Sequence, residues 1–321
     1  MERRRLGRSD LHIAPLVLGA NVFGWTADEK ASFEVLDAFV DEGFNCVDTA
    51  DVYSRWSQAG AGASEKVIGA WLSRGGGRRD RIILATKVGM EMEPGRKGLS
   101  AAYIVEAVEA SLARLKTDYI DLYQAHRDDA DVPQEETLEA FDRLVRAGKV
   151  RAIGSSNFEA GRLASALETS DRLGLVRFSS EQPLYNLVER SRFEGELQAV
   201  CLAQEVGVIS YFGLASGFLT GKYRSEADLS KSPRGAAVKA WLNPRGLGVL
   251  AALDDISGAH AATPAQVALA WVMAQPGLTA PIASATSAAQ LRELTGAARV
   301  RLSPEDLARL DKASAPAAAS S

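Results

Sequence analysis

The run Asp48-Thr49-Ala50-Asp51-Val52-Tyr53 puts an acid and a phenol just past an apolar segment, Phe44-Asn45-Cys46-Val47. That segment reads as a short buried strand, entered through Gly43, which ends the helical pattern before it. Two further apolar segments finish in the same way. Arg81-Ile82-Ile83-Leu84-Ala85-Thr86 ends in Lys87, and Tyr119-Ile120-Asp121-Leu122-Tyr123-Gln124-Ala125 ends in His126. Asp48, Tyr53, Lys87 and His126 are thus delivered by three successive strand ends. In a barrel of alternating strands and helices, the carboxyl ends of the strands are where active sites are built. The set points to proton-transfer chemistry at one shared site.

The elements that must position these residues follow from periodicity and breakers. Strand patterns fall at 16–19, 44–47, 81–86, 119–125, 150–154, 177–181, 207–210 and 281–283. Helical spacing separates them: Phe33, Leu36, Phe39 and Val40 after a capping box of Thr26 with Glu29; Val67, Ile68, Trp71 and Leu72 after Ser64; Ile104, Val108 and Leu112 after the cap Ser100; Leu138, Phe141 and Leu144 before Gly148. Further helices are expected at about 159–168 and 193–204, after Thr263-Pro264-Ala265-Gln266, and after Ser287 with Gln290. Eight strands alternating with helices predict an α/β chain with a parallel sheet, closed into a (β/α)8 TIM-type barrel. An open doubly wound sheet is the alternative, disfavoured because no G-x-G-x-x-G follows the first strand. Three additions are expected: an N-terminal hairpin over 4–13 turning at Gly7 to Asp10, a long functional loop over 212–243 after strand seven, and an extra C-terminal helix opened by Ser303-Pro304-Glu305-Asp306. The chain reads as one domain, 1–321, with a frayed tail from Ala313 to Ser321.

Composition excludes several function classes. A net charge of −4 and a pI near 5.6 give no reason to expect nucleic acid or an anionic membrane as partner. No apolar run approaches the roughly 18 residues of a membrane span. The basic start Met1-Glu2-Arg3-Arg4-Arg5 has no apolar core of a secretion signal behind it. Cys46 and Cys201 make neither a disulfide framework nor a zinc set, and a reducing cytoplasm suits them.

Five runs carry a resemblance: Leu6-Gly7-Arg8-Ser9, Asp48 to Tyr53, Gly154-Ser155-Ser156-Asn157-Phe158, Gln182-Pro183-Leu184-Tyr185-Asn186, and Leu219-Thr220-Gly221-Lys222-Tyr223. In this order and spacing the chain resembles an aldo-keto reductase from about Leu6 to Leu310. It looks nearer the branch of potassium-channel β subunits and sugar reductases than aldose reductase. The resemblance implies a barrel with NADPH lying over the carboxyl ends of its strands, and a small carbonyl substrate.

The resemblance also implies roles. Tyr53 is the acid, Lys87 lowers its pKa, Asp48 partners the lysine, and His126 orients the substrate oxygen. Ser156, Asn157 and Gln182 hold the nicotinamide carboxamide, and Tyr211 stacks under the ring. Ala20, Asn21 and Asp48 line the cofactor's path. Phe212, Gly213, Leu214, Ala215, Gly217, Lys222 and Arg224 belong to the segment crossing the pyrophosphate. Ser284, Thr286, Gln290 and Glu293 meet the adenosine end. Gln290 stands where relatives with a strong NADPH preference often have arginine; NADPH remains the expected cofactor, with NADH possible, and Arg292, Arg224 and Lys222 are candidate substitutes. Phe212-Gly213 replaces the Ser-Pro of many relatives, which predicts a looser loop. Trp25, Val52, Trp56, Met90 and Trp241 wall the substrate site, and Arg127 with Asp128 could read a polar or charged substrate.

Two other readings stay open. Lys87 could form a Schiff base, as in class I aldolases, although that leaves Ser155-Ser156-Asn157 and the 212–224 loop unexplained. The chain could also be a cofactor-binding regulatory module like the channel β subunits. Those resemble a group with asparagine where this chain has His126, so His126 favours catalysis. Neither the particular carbonyl compound nor the oligomeric state is legible.

Overall fold

The structure, a computed structural model, describes residues 2–232 and 235–316. Eight strands close a barrel in which every neighbour pair is parallel: β3 (Val17–Gly19), β4 (Cys46–Asp48), β5 (Ile83–Val88), β6 (Ile120–Ala125), β7 (Val150–Ser156), β8 (Phe178–Gln182), β9 (Gly207–Ser210) and β10 (Leu278–Ala283), the last returning to β3. The (β/α)8 expectation holds. Lys87 differs from expectation in lying inside β5 rather than after it. Its register partner is Gln124 on β6, so its side chain starts one residue below the barrel's rim.

The antiparallel hairpin of β1 (Arg4–Arg5) and β2 (His12–Ile13) plugs the other end of the barrel. Leu6, Leu11 and Ile13 join the barrel-interior side chains Val17, Cys46, Ala85, Leu122, Ala152, Ile209 and Ala280 in one buried cluster. Gly7, at φ +55, is held there by space as well as conformation: a Cβ would sit 2.0 Å from Ser179 O.

A larger cluster fills the shell between barrel and helices. The helices are α1 (Glu29–Asp41), α2 (Ala63–Leu72), α3 (Ala101–Leu115), α4 (Gln134–Arg146), α5 (Ala160–Leu173), α6 (Glu196–Ala203), the short α7 (Gly235–Val238), α8 (Pro244–His260), α9 (Pro264–Met273), α10 (Ala288–Thr295) and α11 (Pro304–Ser314). The caps at Ser100, Thr263, Ser287 and Ser303 are as expected.

Several details differ. Asp28, not Thr26, caps α1, accepting from Ala31 N at 2.8 Å, because residues 22–27 are folded into a turn on Val22 O. Ser64 lies inside α2 and spends its hydroxyl on Ala20 O and Thr49 Oγ1. The helix expected near Phe193 begins only at Glu196. α8 has no counterpart in the sequence reading: glycines at 246, 248 and 258 break up its pattern, and only the Asn243-Pro244 start marks it. The expected loop 212–243 folds largely into short helical turns. Ala313 and Ser314, expected in a frayed tail, belong to α11, with Ser314 buried and bonded to Arg190; residues 317–321 of that expected tail lie outside those described.

Candidate active site

Asp48 closes β4, and its carboxylate lies over the barrel mouth with both oxygens engaged. Lys87 Nζ donates to Oδ2 at 2.6 Å; Gln124 Nε2 and Gln182 Nε2 donate to Oδ1 at 3.2 and 3.0 Å. The lysine also donates to Thr49 O at 2.8 Å and to Tyr53 OH at 3.0 Å. All three of its N–H groups are therefore spoken for. Tyr53 is presented by a turn on Ala50 O, and the turn is locked by Ser54, whose hydroxyl donates to Phe23 O from a left-handed backbone, φ 72. The His126 ring stands edge-on to Tyr53 with centroids 5.9 Å apart.

Burial and charge set the protonation states. Burial alone would lower the Lys87 pKa, but Asp48 and Tyr53 outweigh it and hold the ammonium above its ordinary value. Burial pushes the Tyr53 phenol up, and the opposing pull of Lys87 does not overcome it. Lys87 does pull the phenol down, as expected, but burial outweighs it, so the net shift is upward and the phenol is kept protonated. Burial, helped by the charges of Lys87 and Arg127, drives His126 well below its ordinary value, so the imidazole is neutral at neutral pH. Three residues past Asp48, Asp51 shows what the same side chain does without a cation. Among the described residues neither of its oxygens has a hydrogen-bond partner, and burial and Glu65 push its pKa well up.

One cavity of about 970 Å³ starts at Asp48, Tyr53 and His126 and runs past Ser156, Asn157, Gln182 and Tyr211. It continues along Phe212, Gly213, Leu214 and Gly217 to Lys222, and ends among Ser284, Thr286, Gln290 and Glu293, with Asn21 on its flank. Its length and sequence of surfaces suit an extended dinucleotide: a proton-handling end, a phenol ring, a loop rich in backbone N–H groups with a lysine, and a polar end. Trp56 and Met90 line the catalytic end.

Comparisons with known proteins show the family. The model of the Aldo/keto reductase family matches residues 15–315. The chain belongs to that family. It is 37% identical to an "Uncharacterized oxidoreductase YrpG" of Bacillus subtilis, over 97% of this chain and 95% of the relative. It is 34% identical to a "Probable voltage-gated potassium channel subunit beta" of Arabidopsis thaliana, over 91% and 90%. It is 33% identical to "Aldo-keto reductase YhdN" of Bacillus subtilis, over 93% and 87%.

Several residues expected at the site of this aldo/keto reductase lie off the cavity lining. Ala20 and Ala215 are fully buried, and Val52 nearly so. Trp25 stands behind Trp56, edge-on at 5.6 Å. Trp241 packs toward Phe218 and donates to Glu189 at 3.2 Å. Arg127 acts on His126 only through its charge, and Asp128 is bound bidentately by Arg162. Arg224 makes two bonds to Asp254, at 2.7 and 2.8 Å, and Arg292 leans on Glu42. Asn157 is also more committed than expected. Its Oδ1 accepts from Tyr211 OH at 2.7 Å, and its Nδ2 donates to His126 O and Ser156 Oγ.

The sequence reading missed Val22, Thr26, Ser232 and Ala265 on the lining, and Gln124 beneath Asp48. Only Gln124 carried a signal, as an amide two residues before His126 on a strand whose other polar member is Asp121. Glu181 was missed too. It is fully buried beside Gln182 and accepts from Ser155 Oγ and Phe158 N; burial raises its pKa to about 7.

Proposed function

We propose that this chain is an NADPH-dependent carbonyl reductase that converts an aldehyde or ketone of a sugar or other small molecule to the alcohol. The observation that carries the proposal is the unbroken chain Asp48–Lys87–Tyr53, with a neutral His126 beside it, at one end of a dinucleotide-sized cavity. A nicotinamide cofactor, when bound, supplies the hydride. Tyr53 OH donates the proton that the developing alkoxide needs. Lys87 Nζ, 3.0 Å away, stabilises the phenolate left behind and is itself held in place by Asp48. His126, with no charge of its own, donates a hydrogen bond that orients the carbonyl oxygen. The balance suits an acid: burial keeps the proton on Tyr53 until the substrate takes it, and the lysine lowers the cost of giving it up.

For the cofactor, Ser156 and the side-chain amide oxygen of Gln182 would hold the carboxamide, with Asn157 steadying Tyr211 under the ring. The 212–217 segment and Lys222 would meet the pyrophosphate, and Ser284, Thr286, Gln290 and Glu293 the adenosine. Among the described residues, Lys222 is the one Lys or Arg on the lining. With Arg224 and Arg292 engaged elsewhere, discrimination between NADPH and NADH is modest. The catalytic end offers Val22, Trp56 and Met90 and leaves Arg127 aside, which favours an uncharged carbonyl compound. The Schiff-base reading loses support, since an ammonium with three hydrogen bonds is no nucleophile.

The test follows NADPH absorbance against a panel of aldehydes and ketones, together with single-turnover mixing of the NADPH-loaded chain. Oxidation of bound NADPH faster than in protein-free controls is expected. NADPH that binds but stays reduced with every compound would sink the reductase reading and favour a regulatory one, which the channel-subunit relative keeps in view.

A further inference from the structure

The segment carrying the cavity wall past Tyr211 is bent in an unusual way. Phe212, Ala215 and Ser216 all have left-handed backbones, at φ 56, 47 and 54, and Gly217 follows at φ 93. Left-handed φ is rare for residues with a side chain and least favoured for bulky ones. Phe212 is also exposed, so no side-chain burial compensates for its backbone. Something else must hold it.

The fully buried Asn186 is placed to do so. The 183–186 segment runs beside 211–212, with Tyr211 N donating to Pro183 O at 2.9 Å. Asn186 Oδ1 accepts from Val188 N at 2.9 Å and Glu189 N at 3.0 Å, closing a tight turn. Two backbone donors on one side fix the amide's orientation, so Nδ2 faces the strap and donates to Phe212 O at 2.9 Å. Phe212 O also accepts from Ala215 N at 2.7 Å, the first bond of the following helical turn. The same 186–189 turn reaches the strap a second time, through Glu189, Trp241 and Phe218.

We propose that Asn186 is a positioning residue for the cofactor: its amide holds Phe212 in the left-handed conformation and so shapes the 212–217 strap that receives the pyrophosphate. The proposal rests on the nucleotide reading above. It accounts for the Phe-Gly pair at 212–213, because a strap without proline's rigidity takes its shape from a neighbouring turn.

Three variants test it. Asn186→Ala removes both halves of the brace. Asn186→Asp keeps an acceptor for Val188 and Glu189 but replaces the donor to Phe212 with a carboxylate oxygen that repels its carbonyl. Glycine adopts left-handed φ freely, so Phe212→Gly on the Asn186→Ala background relieves the need for the brace. Stopped-flow release of NADPH should quicken roughly tenfold in Asn186→Ala and by a similar factor in Asn186→Asp, about the effect of one lost hydrogen bond. Adding Phe212→Gly to Asn186→Ala should slow release again, whereas on the wild-type background it should not slow it. Amide hydrogen exchange at Ala215 and Leu219 should quicken in Asn186→Ala without any nucleotide present. A cofactor reading that is wrong would show as wild-type chain that binds no NADPH, and the exchange data would still decide the brace. Unchanged exchange and release in a folded Asn186→Ala, or a Phe212→Gly effect equal on both backgrounds, would overturn the inference.

Discussion

At one end of the cavity, Asp48, Lys87 and Gln182 stand on barrel strands and meet through bonds of 2.6–3.0 Å. At the other, the lining residues proposed to face a nucleotide stand on the 212–222 strap and the 284–294 segment, where three non-glycine residues carry left-handed φ and Gln290 Oε1 is occupied by Thr286. The strand-borne end is fixed by the barrel itself, since moving Lys87 relative to Asp48 means breaking the β4–β5 ladder. The loop-borne end is fixed by individual side chains. Chemistry that tolerates little displacement sits on the first, and binding that must open and close sits on the second.

Breaking the strand-borne end should have the largest effect. Tyr53→Phe removes the proton donor and is expected to cut turnover by about 10²- to 10⁴-fold, with NADPH affinity little changed. Residual activity within about tenfold of wild type, or about 1.4 kcal/mol, would take the acid role from Tyr53. Lys87→Met leaves Asp48 buried beside a chain that cannot pair with it, and should cost about 3–5 kcal/mol of stability. Adding Asp48→Asn should return part of that loss. A denaturant series on wild type, the two single variants and the double variant checks it; additive losses would mean the pair is not the coupled unit described here.

Glu181 lies at the junction of the two ends, under the 155–158 turn, and its effect is a pH dependence. Burial raises its pKa from 4.5 to about 7 in the folded chain. Between those values the folded chain keeps a proton that the unfolded chain has released, so this group lowers stability as pH rises from 4.5 to 7. The penalty is fully present above 7 and amounts to roughly 3 kcal/mol. Glu181→Gln should flatten that part of the stability profile. Identical slopes in urea midpoints between pH 5 and pH 8 for both chains would place the titration elsewhere.

The smallest effect belongs to the loop-borne end. Gln290→Arg adds a charged donor worth about 1.5–3 kcal/mol but gives up the bonds to Thr286. NADPH should therefore tighten by only roughly tenfold and NADH hardly at all, read by tryptophan quenching. Equal tightening of both cofactors would put residue 290 away from the 2′-phosphate. A wild-type preference of thousands-fold for NADPH would show that discrimination is already supplied by another cation.

The strand-borne end was the more legible in the sequence. Asp48, Lys87 and His126 follow apolar runs with strand periodicity, and the runs around them match a family over nearly the whole chain. Helix α8 was not legible, because its three glycines dilute the apolar spacing that marks α1 and α3. The carboxylates beside Arg224 and Arg292 were not legible, because a sequence shows the guanidinium and not its partner. Asp254 and Glu42, 30 and 250 residues away in the chain, decide where those charges go. Trp25 and Trp241 were placed on the right loops, but which of two neighbouring indoles faces the cavity is a matter of packing.

By itself the sequence determined the residue types at the strand ends, the alternation that closes a barrel, and the membership of an oxidoreductase family, since these depend on local pattern and order along the chain. Tertiary structure decided the rest: that Lys87 reaches Tyr53 at 3.0 Å while its ammonium is saturated, that burial keeps the Tyr53 proton on and the His126 proton off, and that Asn186 meets Phe212. Those are through-space quantities, set by which groups exclude water from which, and no periodicity in one dimension encodes them.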